Sequence, residues 1–451
     1  MELKEKIIAE TDEMLEKLGK LVAVNSVRAE AKEGKPFGDG PAAALAEALK
    51  LADGMGFKTV NMDNYCGYAE MGEGKEIIGI AAHLDVVPAG DGWNTDPFTL
   101  TRDGDTVYGR GVSDDKGAVI ASLYAMKHIR ESGIPMNKRV RLLMGCAEET
   151  GSECMAYYVA HEEPVTVGFT PDGNFPGIYG EKGPLAMLAK SKNTKILSMN
   201  GGFVANAVCN HCITEVSAKD VDPEALKKAL ADTALKSFTV TEENGKLTID
   251  AVGVAAHAST PLLGVNAAGC TMAALQAAGM QDDFVDFYNS HIGTACDGAG
   301  IGLNLQDAYG DLTLCNGIVK TEDGVISCTI DIRVPVTFTE EQVREACAGK
   351  LEDEKGAIEI VNFGKSLFYP KESRLVQDLY KAYVEVTGDT ETQPMVIGGG
   401  TYAKEIPGII AFGCEFLGRD NHIHDANESL YLPELRQQVE IYAKAIENLL
   451  K

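Results

Sequence analysis

The spacing of apolar residues changes several times along the chain, and each change marks a predicted element. Apolar residues recur every three or four positions over residues 7–18 and 41–55, which predicts two helices. Further segments with helical spacing lie at residues 119–129 and 154–159. Short apolar runs typical of buried strands lie at residues 77–82, 139–146 and 165–169. Strands that alternate with helices predict an α/β domain with a mostly parallel sheet flanked by helices.

The pattern becomes less regular from about residue 186 onwards. Here the sequence predicts shorter strands, longer polar connections and helices at residues 222–230 and 340–348. Asp222 is the expected cap of the first of these helices. After residue 370, a long amphipathic helix restores the first pattern.

This change of pattern predicts how the chain is divided into domains. We expect one α/β domain formed by residues 1–185 together with residues 370–451. Residues 186–369 are expected to form an inserted α+β domain.

The charge and cysteine content exclude several classes of partner. The 451 residues include 67 acidic and 41 basic side chains, which give a formal net charge of -26 at pH 7. Such an acidic surface repels phosphate groups, so no nucleic acid or membrane partner is expected. No apolar run is long enough to cross a bilayer, and no secretion signal is recognised. The eleven irregularly spaced cysteines favour free thiols in the cytoplasm.

Residues that can bind metals or move protons follow three of the predicted strands. His83 and Asp85 follow the first strand, Glu148 and Glu149 the second, and Asp172 the third. The carboxyl ends of strands in an α/β sheet meet at one edge, where such sheets bind ligands. Taken singly, these residues could be hydrogen-bond partners, turn residues or solvated loop acids. Their shared position favours a functional site.

Two further segments add candidates. Asp114 and Asp115 precede a predicted helix, where Ser113 or Asp114 would also serve as a helix cap. His422 and His424 lie in a polar segment that is also consistent with a surface loop. Two imidazoles and three carboxylates suit a pair of divalent ions such as zinc, and one carboxylate normally bridges such a pair.

Several of these segments also match the pattern of a known family. The matching segments are His83-Leu84-Asp85-Val86-Val87-Pro88, Ala89-Gly90-Asp91-Gly92-Trp93, Gly109-Arg110-Gly111, Asp114-Asp115-Lys116, Glu148-Glu149-Thr150-Gly151, Phe175-Pro176, Gly180-Glu181-Lys182-Gly183, Gly398-Gly399-Gly400-Thr401-Tyr402, and His424 before Glu428. With these segments in the family's order, the chain resembles the dizinc aminoacylase/carboxypeptidase-type metallopeptidases. Within them it is most similar to the bacterial Xaa-His dipeptidases of the peptidase V type.

The resemblance implies a zinc-peptidase-like catalytic domain, an inserted α+β lid domain and two divalent metal ions. Zinc is the expected metal, with manganese or cobalt as alternatives. His83 and Asp172 would hold one ion, Glu149 and His424 the other, and Asp114 would bridge them.

The resemblance also assigns roles close to the metal ions. Glu148 would be the general base, and Asp85 would orient His83. His424 is preferred to His422 as a ligand because of its spacing to Glu428.

Further roles follow for the inserted region. His257 resembles the lid histidine that stabilises the oxyanion, and Asn206 resembles a lid asparagine near the substrate. Arg333 resembles a residue that binds the substrate's free carboxylate, as an arginine can do with two parallel hydrogen bonds. Backbone N–H groups of the glycine loop should bind the same carboxylate, which implicates Gly399, Gly400 and Thr401.

The implied activity is hydrolysis of the amide bond of a dipeptide by water activated at two metal ions. The long insert implies that a monomer completes its own site, whereas dimeric relatives with short lids take the histidine from a partner subunit. Two alternatives remain open: a deacylase that acts on N-acyl amino acids, and a peptide-binding protein without turnover.

Overall fold

The computed structural model describes residues 2–451, and these residues form two compact units. The first unit comprises the described residues up to Gly180, together with Tyr369–Val396 and Gly400–Lys451. The second unit comprises Glu181–Phe368 and Ile397–Gly399.

The α-helices are numbered along the chain. They are α1 (Leu3–Ala9), α2 (Thr11–Val22), α3 (Asp39–Gly54), α4 (Lys116–Ser132), α5 (Glu153–His161), α6 (Pro223–Ala231), α7 (Ala267–Ala277), α8 (Asp283–His291), α9 (Glu340–Cys347), α10 (Arg374–Thr387) and α11 (Leu432–Leu450). None of the helices described between residues 2 and 451 combines the length and apolar character needed to cross a membrane.

The strands are numbered in the same way. They are β1 (Lys58–Met62), β2 (Cys66–Met71), β3 (Ile77–His83), β4 (Thr101–Asp103), β5 (Thr106–Tyr108), β6 (Arg139–Gly145), β7 (Val167–Thr170), β8 (Ile178–Glu181), β9 (Gly183–Ser191), β10 (Ile196–Gly201), β11 (His211–Ser217), β12 (Ser237–Glu243), β13 (Lys246–Val252), β14 (Gln306–Asp307), β15 (Gly310–Asp311), β16 (Thr313–Glu322), β17 (Val325–Val334), β18 (Gly356–Phe363), β19 (Leu367–Phe368), β20 (Met395–Ile397), β21 (Ile409–Ala411) and β22 (Ser429–Tyr431).

The main sheet of the first unit is parallel at its centre and antiparallel at its edges. Its order includes β1-β2-β6-β3-β7-β21-β8. The pairs β6/β3, β3/β7 and β7/β21 are parallel, whereas β1, β2 and β8 pair antiparallel. Every residue of β3 is buried, which explains its continuous apolar sequence. The predicted α/β architecture is confirmed, and antiparallel strands complete the edges of its parallel core.

The parallel centre brings three strand ends to one edge of the sheet. His83 at the end of β3 is the register partner of Gly145 at the end of β6, and β7 ends at Thr170. Strands β3 and β7 approach closely at Gly79 and Gly168, where a Cβ added to residue 168 would lie 1.8 Å from the Gly79 carbonyl oxygen. A side chain at position 168 would therefore push apart β3 and β7, two of the strands that end at this edge of the sheet.

The second unit is built on an eight-stranded sheet with the order β12-β13-β11-β10-β16-β17-β9-β18. All its pairs are antiparallel. Burial alternates along β13, and the buried face packs into a core with residues of α6, α7, α8 and α9. This is the predicted α+β type.

Two details of the second unit differ from the sequence prediction. Strand β16 contains ten residues, so the expectation of shorter strands was wrong there. Helices α7 and α8 were not predicted. The sequence of α7 is apolar on nearly every face because the helix is buried, so it lacks the polar stripe that marks an amphipathic helix.

Candidate metal centre

The turns after β3, β6 and β7 bring histidine and carboxylate side chains together in the first unit. Ligand atoms of His83, Asp114 and Glu149 all lie within 4.8 Å of one another. Those of His83, Glu148 and Asp172 form a second group with the same property. The two groups share His83, so they make one continuous cluster of potential metal ligands.

The carboxylate of Asp114 lies between two imidazole rings. Its Oδ1 atom is 2.8 Å from His83 Nε2, and its Oδ2 atom is 2.9 Å from His424 Nε2. The same nitrogen of His424 lies 3.1 Å from Glu149 Oε2, and His83 Nε2 lies 4.0 Å from Asp172 Oδ2. The structure thus places all five predicted metal ligands together, with Asp114 in the middle.

Asp85 supports this cluster from behind through both its backbone and its side chain. Its backbone carbonyl oxygen is 3.0 Å from His83 Nδ1. Because a carbonyl can only accept, Nδ1 carries a proton and Nε2 is left as the ligand atom. The Asp85 carboxylate is 3.6 Å from the same ring nitrogen, and it accepts hydrogen bonds from the backbone N–H groups of Glu148 at 3.0 Å and Glu149 at 3.1 Å. Asp85 therefore fixes the turn that carries Glu148 as well as the histidine.

The residues before α4 do not cap that helix. Asp115 occupies the cap position, but its side chain forms no capping hydrogen bond. Instead, Asp115 Oδ2 accepts from the His83 backbone N–H at 3.1 Å, and Ser113 Oγ donates to the Ser429 carbonyl oxygen at 2.7 Å. The capping explanation for Ser113 and Asp114 was therefore wrong.

The site holds more negative charge than its own imidazoles can balance. Burial and the nearby Asp172 raise the pKa of Glu148 well above its usual range, and burial and Asp114 raise the pKa of Glu149. Hydrogen bonds to Asp114 and Glu149 raise the pKa of His424 to about 11. Clustered carboxylates with raised pKa values need a compensating cation. Nitrogen and oxygen donors of this kind are those that zinc and similar divalent ions prefer, so these residues fit a bound metal pair.

Sequence reasoning missed the structural role of Glu428. Its buried carboxylate accepts from the backbone N–H groups of Gly111, Ser113 and Asp114 at 2.8 to 3.0 Å. It also accepts from Arg110 Nη1 at 2.9 Å, and both side chains are 1% exposed. Glu428 therefore holds the loop that presents Asp114. A sequence pattern does not show such a contact, because the partners are more than 300 positions apart.

A second carboxylate near the cluster, Glu415, was also missed. Burial and the charge of Asp114 raise its pKa to about 7, whereas His424 opposes this shift. No motif quoted from the sequence contains Glu415, so no signal pointed to it.

In the second unit, the arrangement around His257 fixes its tautomer. The backbone N–H of Ser259 donates to His257 Nδ1 at 3.2 Å, and Ser259 Oγ lies 2.7 Å from the same nitrogen. Because Nδ1 accepts a hydrogen bond, the proton of the neutral ring is on Nε2, which is then a donor. Asn206 is exposed on the segment beside His257. Its backbone carbonyl oxygen accepts from the Ala258 backbone N–H at 2.9 Å.

Arg333 lies at the end of β17 in the second unit. Asp331 accepts from its Nε at 2.7 Å and from its Nη2 at 3.2 Å, and the Gly398 carbonyl oxygen accepts from its Nη1 at 2.9 Å. A guanidinium has five N–H groups, so two of them have no partner within the described residues 2–451. Asp331 and Gly398 hold the guanidinium in place and leave these two groups for a ligand.

The predicted carboxylate-binding loop is divided between the two units. Gly399 belongs to the second unit, whereas Gly400 and Thr401 belong to the first. Thr401 Oγ1 accepts from the Ala403 N–H at 3.2 Å, at the start of the short 3-10 turn Tyr402–Lys404.

A cluster of imidazoles and carboxylates at the carboxyl edge of an α/β sheet is a site of the kind found in metal-dependent hydrolases. Comparison with known proteins agrees with this class: the chain belongs to Peptidase family M20/M25/M40, which matches residues 79–448. It is therefore a hydrolase of peptide bonds, and the resemblance recognised in the sequence is confirmed.

Full-length relatives support the assignment. A Bacillus subtilis (strain 168) protein named "Putative dipeptidase YtjP" is 33% identical over 465 residues, which cover 99% of this chain and 98% of that protein. "Putative dipeptidase SH1171" of Staphylococcus haemolyticus (strain JCSC1435) is 31% identical over 467 residues, covering 99% of both.

Solved structures share the fold. The crystal structure of human carnosine dipeptidase 1 is similar with a TM-score of 0.60 at 17% identity, covering 99% of this chain and 98% of that one. Aminoacylhistidine dipeptidase from Vibrio alginolyticus has a TM-score of 0.53 at 14% identity, with coverages of 97% and 96%.

Proposed function

We propose that this peptidase is a metal-dependent dipeptidase that uses two divalent metal ions and Glu148 as its general base. The observation that carries the proposal is the Asp114 carboxylate, which has one imidazole on each oxygen and further carboxylates beside it. The names of the full-length relatives support a dipeptide as the substrate.

The proposed ligands divide into two sets around Asp114. His83 and Asp172 would hold one ion, Glu149 and His424 the other, and Asp114 would contact both. Zinc is the proposed metal, with manganese or cobalt as alternatives, because the set mixes imidazole and carboxylate donors. When bound, the two ions would polarise the scissile carbonyl and lower the pKa of the attacking water.

Glu148 is the group proposed to move protons. Burial and Asp172 raise the pKa of Glu148, which makes its carboxylate a stronger base for the attacking water than an ordinary glutamate. The proton then passes to the nitrogen of the leaving amine. Asp85 contributes by holding the backbone N–H groups of Glu148 and Glu149.

Residues of the second unit would bind and polarise the substrate. His257 would donate from Nε2 to the developing oxyanion, as its tautomer permits. Arg333 would bind the free carboxylate with its two remaining N–H groups, together with backbone N–H groups of Gly399, Gly400 and Thr401. Asn206 would contact the substrate from the segment beside His257.

We further propose that residues 186–369 act as a lid domain and that the enzyme is a cytoplasmic monomer. All eleven cysteines are free thiols, and ten of them are buried, which suits a reducing compartment. An inserted region of this length is large enough to supply His257 within one chain.

The first test is hydrolysis of free dipeptides by metal-stripped protein to which zinc, manganese or cobalt is added back. Wild-type activity should return with metal, while Glu148→Ala should bind metal and lose about a thousandfold to ten-thousandfold in kcat. N-acetyl amino acids in the same assay test the deacylase alternative. Turnover of N-acetyl amino acids but not of free dipeptides would contradict the proposal, as would a fully active Glu148→Ala variant.

A further inference from the structure

Glu415 is a carboxylate beside the candidate metal centre that the proposed mechanism does not use. Its backbone N–H donates to the Gly173 carbonyl at 2.8 Å, and its own carbonyl accepts from the Phe175 N–H at 2.8 Å. It therefore runs alongside the turn that carries the proposed ligand Asp172.

The neighbouring residue ties Glu415 to a second side of the cluster. Cys414 Sγ–H donates to the Ser113 carbonyl oxygen at 3.3 Å, next to the proposed bridging residue Asp114. The charges of Asp114, His424 and Asp420 all act on the Glu415 carboxyl group. Glu415 thus lies beside the Asp172 turn, and its neighbour Cys414 contacts the segment that carries Asp114.

The protein does not supply a cation for this carboxylate. Within residues 2–451, the Glu415 side chain takes part in no hydrogen bond or ion pair with a lysine or arginine, although it is half-buried. The one imidazole near it, that of His424, is already shared by Asp114 and Glu149. A half-buried carboxylate that pairs with no lysine or arginine keeps its oxygens available to accept from a charged donor on a bound ligand.

We propose that Glu415 binds an ammonium group of the substrate's N-terminal residue. This inference rests on the proposed dipeptidase function and makes it more specific. An ammonium has three N–H donors, and its charge-assisted hydrogen bond to a carboxylate is stronger than a neutral one. The group is either the α-ammonium of any free dipeptide or the side-chain ammonium of an N-terminal lysine.

The test compares metal-loaded wild type, Glu415→Gln and Asp420→Asn in steady-state kinetics with Ala-Ala and Lys-Ala. Asp420→Asn is the matched control, because it removes the same charge from a nearby side chain that is 81% exposed. Glu415→Gln should lower kcat/KM about tenfold to a hundredfold, mainly through KM, whereas the control should change it less than about twofold. Metal content should be equal in all three proteins.

The pattern of loss identifies the source of the ammonium. A similar loss on both dipeptides assigns the α-ammonium, and a loss confined to Lys-Ala assigns the side chain. Unchanged kinetics on both substrates would overturn the inference, and so would loss of a metal ion from Glu415→Gln, because Glu415 would then be a ligand.

A binding measurement separates this inference from the proposed function. Ala-Ala and Lys-Ala are titrated calorimetrically into metal-loaded Glu148→Gln protein, with and without Glu415→Gln. If wild type cleaves dipeptides but Glu415→Gln affects neither kinetics nor affinity, only the role of Glu415 is wrong. If wild type cleaves no dipeptide, the proposed function fails, while the affinities still decide whether Glu415 binds ammonium.

Discussion

The candidate residues of the two units are held in different ways. In the first unit, His83 and Asp85 are each 1% exposed, and Glu428 and Asp85 fix the surrounding backbone with hydrogen bonds. In the second unit, His257 and Asn206 are exposed; the nearby Ser259 orients the His257 ring, and the Asn206 backbone pairs with Ala258. Metal ligands must keep a fixed geometry at all times, whereas substrate-binding groups are needed only when substrate is present. We therefore expect loss of the buried contacts around His83 and Asp85 to affect stability, and loss of the exposed side chain of His257 to affect catalysis with little change in stability.

The largest effect is expected at His257. Replacement by alanine removes the proposed donor to the oxyanion, so kcat should fall about a hundredfold to a thousandfold with little change in thermal stability. Steady-state kinetics and a thermal melt check this. His211→Ala is the control, because His211 is a partly exposed histidine of the same unit that pairs with Asp250. Equal losses in the two variants would mean that His257 has no special role.

A smaller effect, on stability, is expected for substitution of Glu428. Glu428→Gln leaves buried Arg110 without its charge partner, so the free energy of unfolding should fall by about 3 kcal/mol. Urea denaturation measures this change. The control is Glu359→Gln, which breaks an ion pair with Lys190 whose side chains are 60% and 42% exposed. That variant should lose less than about 1 kcal/mol, and a Glu428→Gln protein as stable as this control would refute the positioning role.

The tautomer of His257 offers a finer test. Ser259→Ala removes one of the two hydrogen-bond partners of Nδ1 but keeps the backbone N–H, so kcat should fall about threefold to tenfold. Kinetics should be combined with nitrogen NMR of the ring, which reports which nitrogen carries the proton. A proton found on Nδ1 in the wild type would contradict the proposed donor role of Nε2.

The smallest effect is expected at a helix cap in the second unit. Asp222 accepts from the backbone N–H groups of Glu224 and Ala225 at the start of α6, as the sequence predicts. Asp222→Ala should lower the free energy of unfolding by about 1 kcal/mol and leave kcat/KM unchanged. A large loss of kcat/KM in Asp222→Ala would show that the capping of α6 also affects catalysis, contrary to this expectation.

The sequence predicts local features of this molecule well. The strand before His83 and the cap Asp222 were predicted because their signals lie within a few consecutive residues. Helix α7 was missed because a buried helix has no polar face to reveal its period.

Contacts between distant residues explain what was missed in the site. Asp114 was predicted as a ligand from its motif, but its dependence on Glu428 is visible only in three dimensions. Glu415 has no motif, and its position follows from pairing beside the Asp172 turn. Residues with a proposed role in the reaction lie in recognisable sequence motifs, whereas residues that position them often do not.

The long separation between Asp114 and its partners has a consequence for biosynthesis. Glu428 contacts a loop 314 to 317 positions earlier, and His424 contacts Glu149 across 275 positions. A ribosome adds residues in order, so the ligand set stays incomplete until residue 424 has emerged, and the loop stays unsupported until residue 428 has followed. The peptidase should therefore remain inactive as a nascent chain, and fragments ending before residue 424 should have no hydrolytic activity.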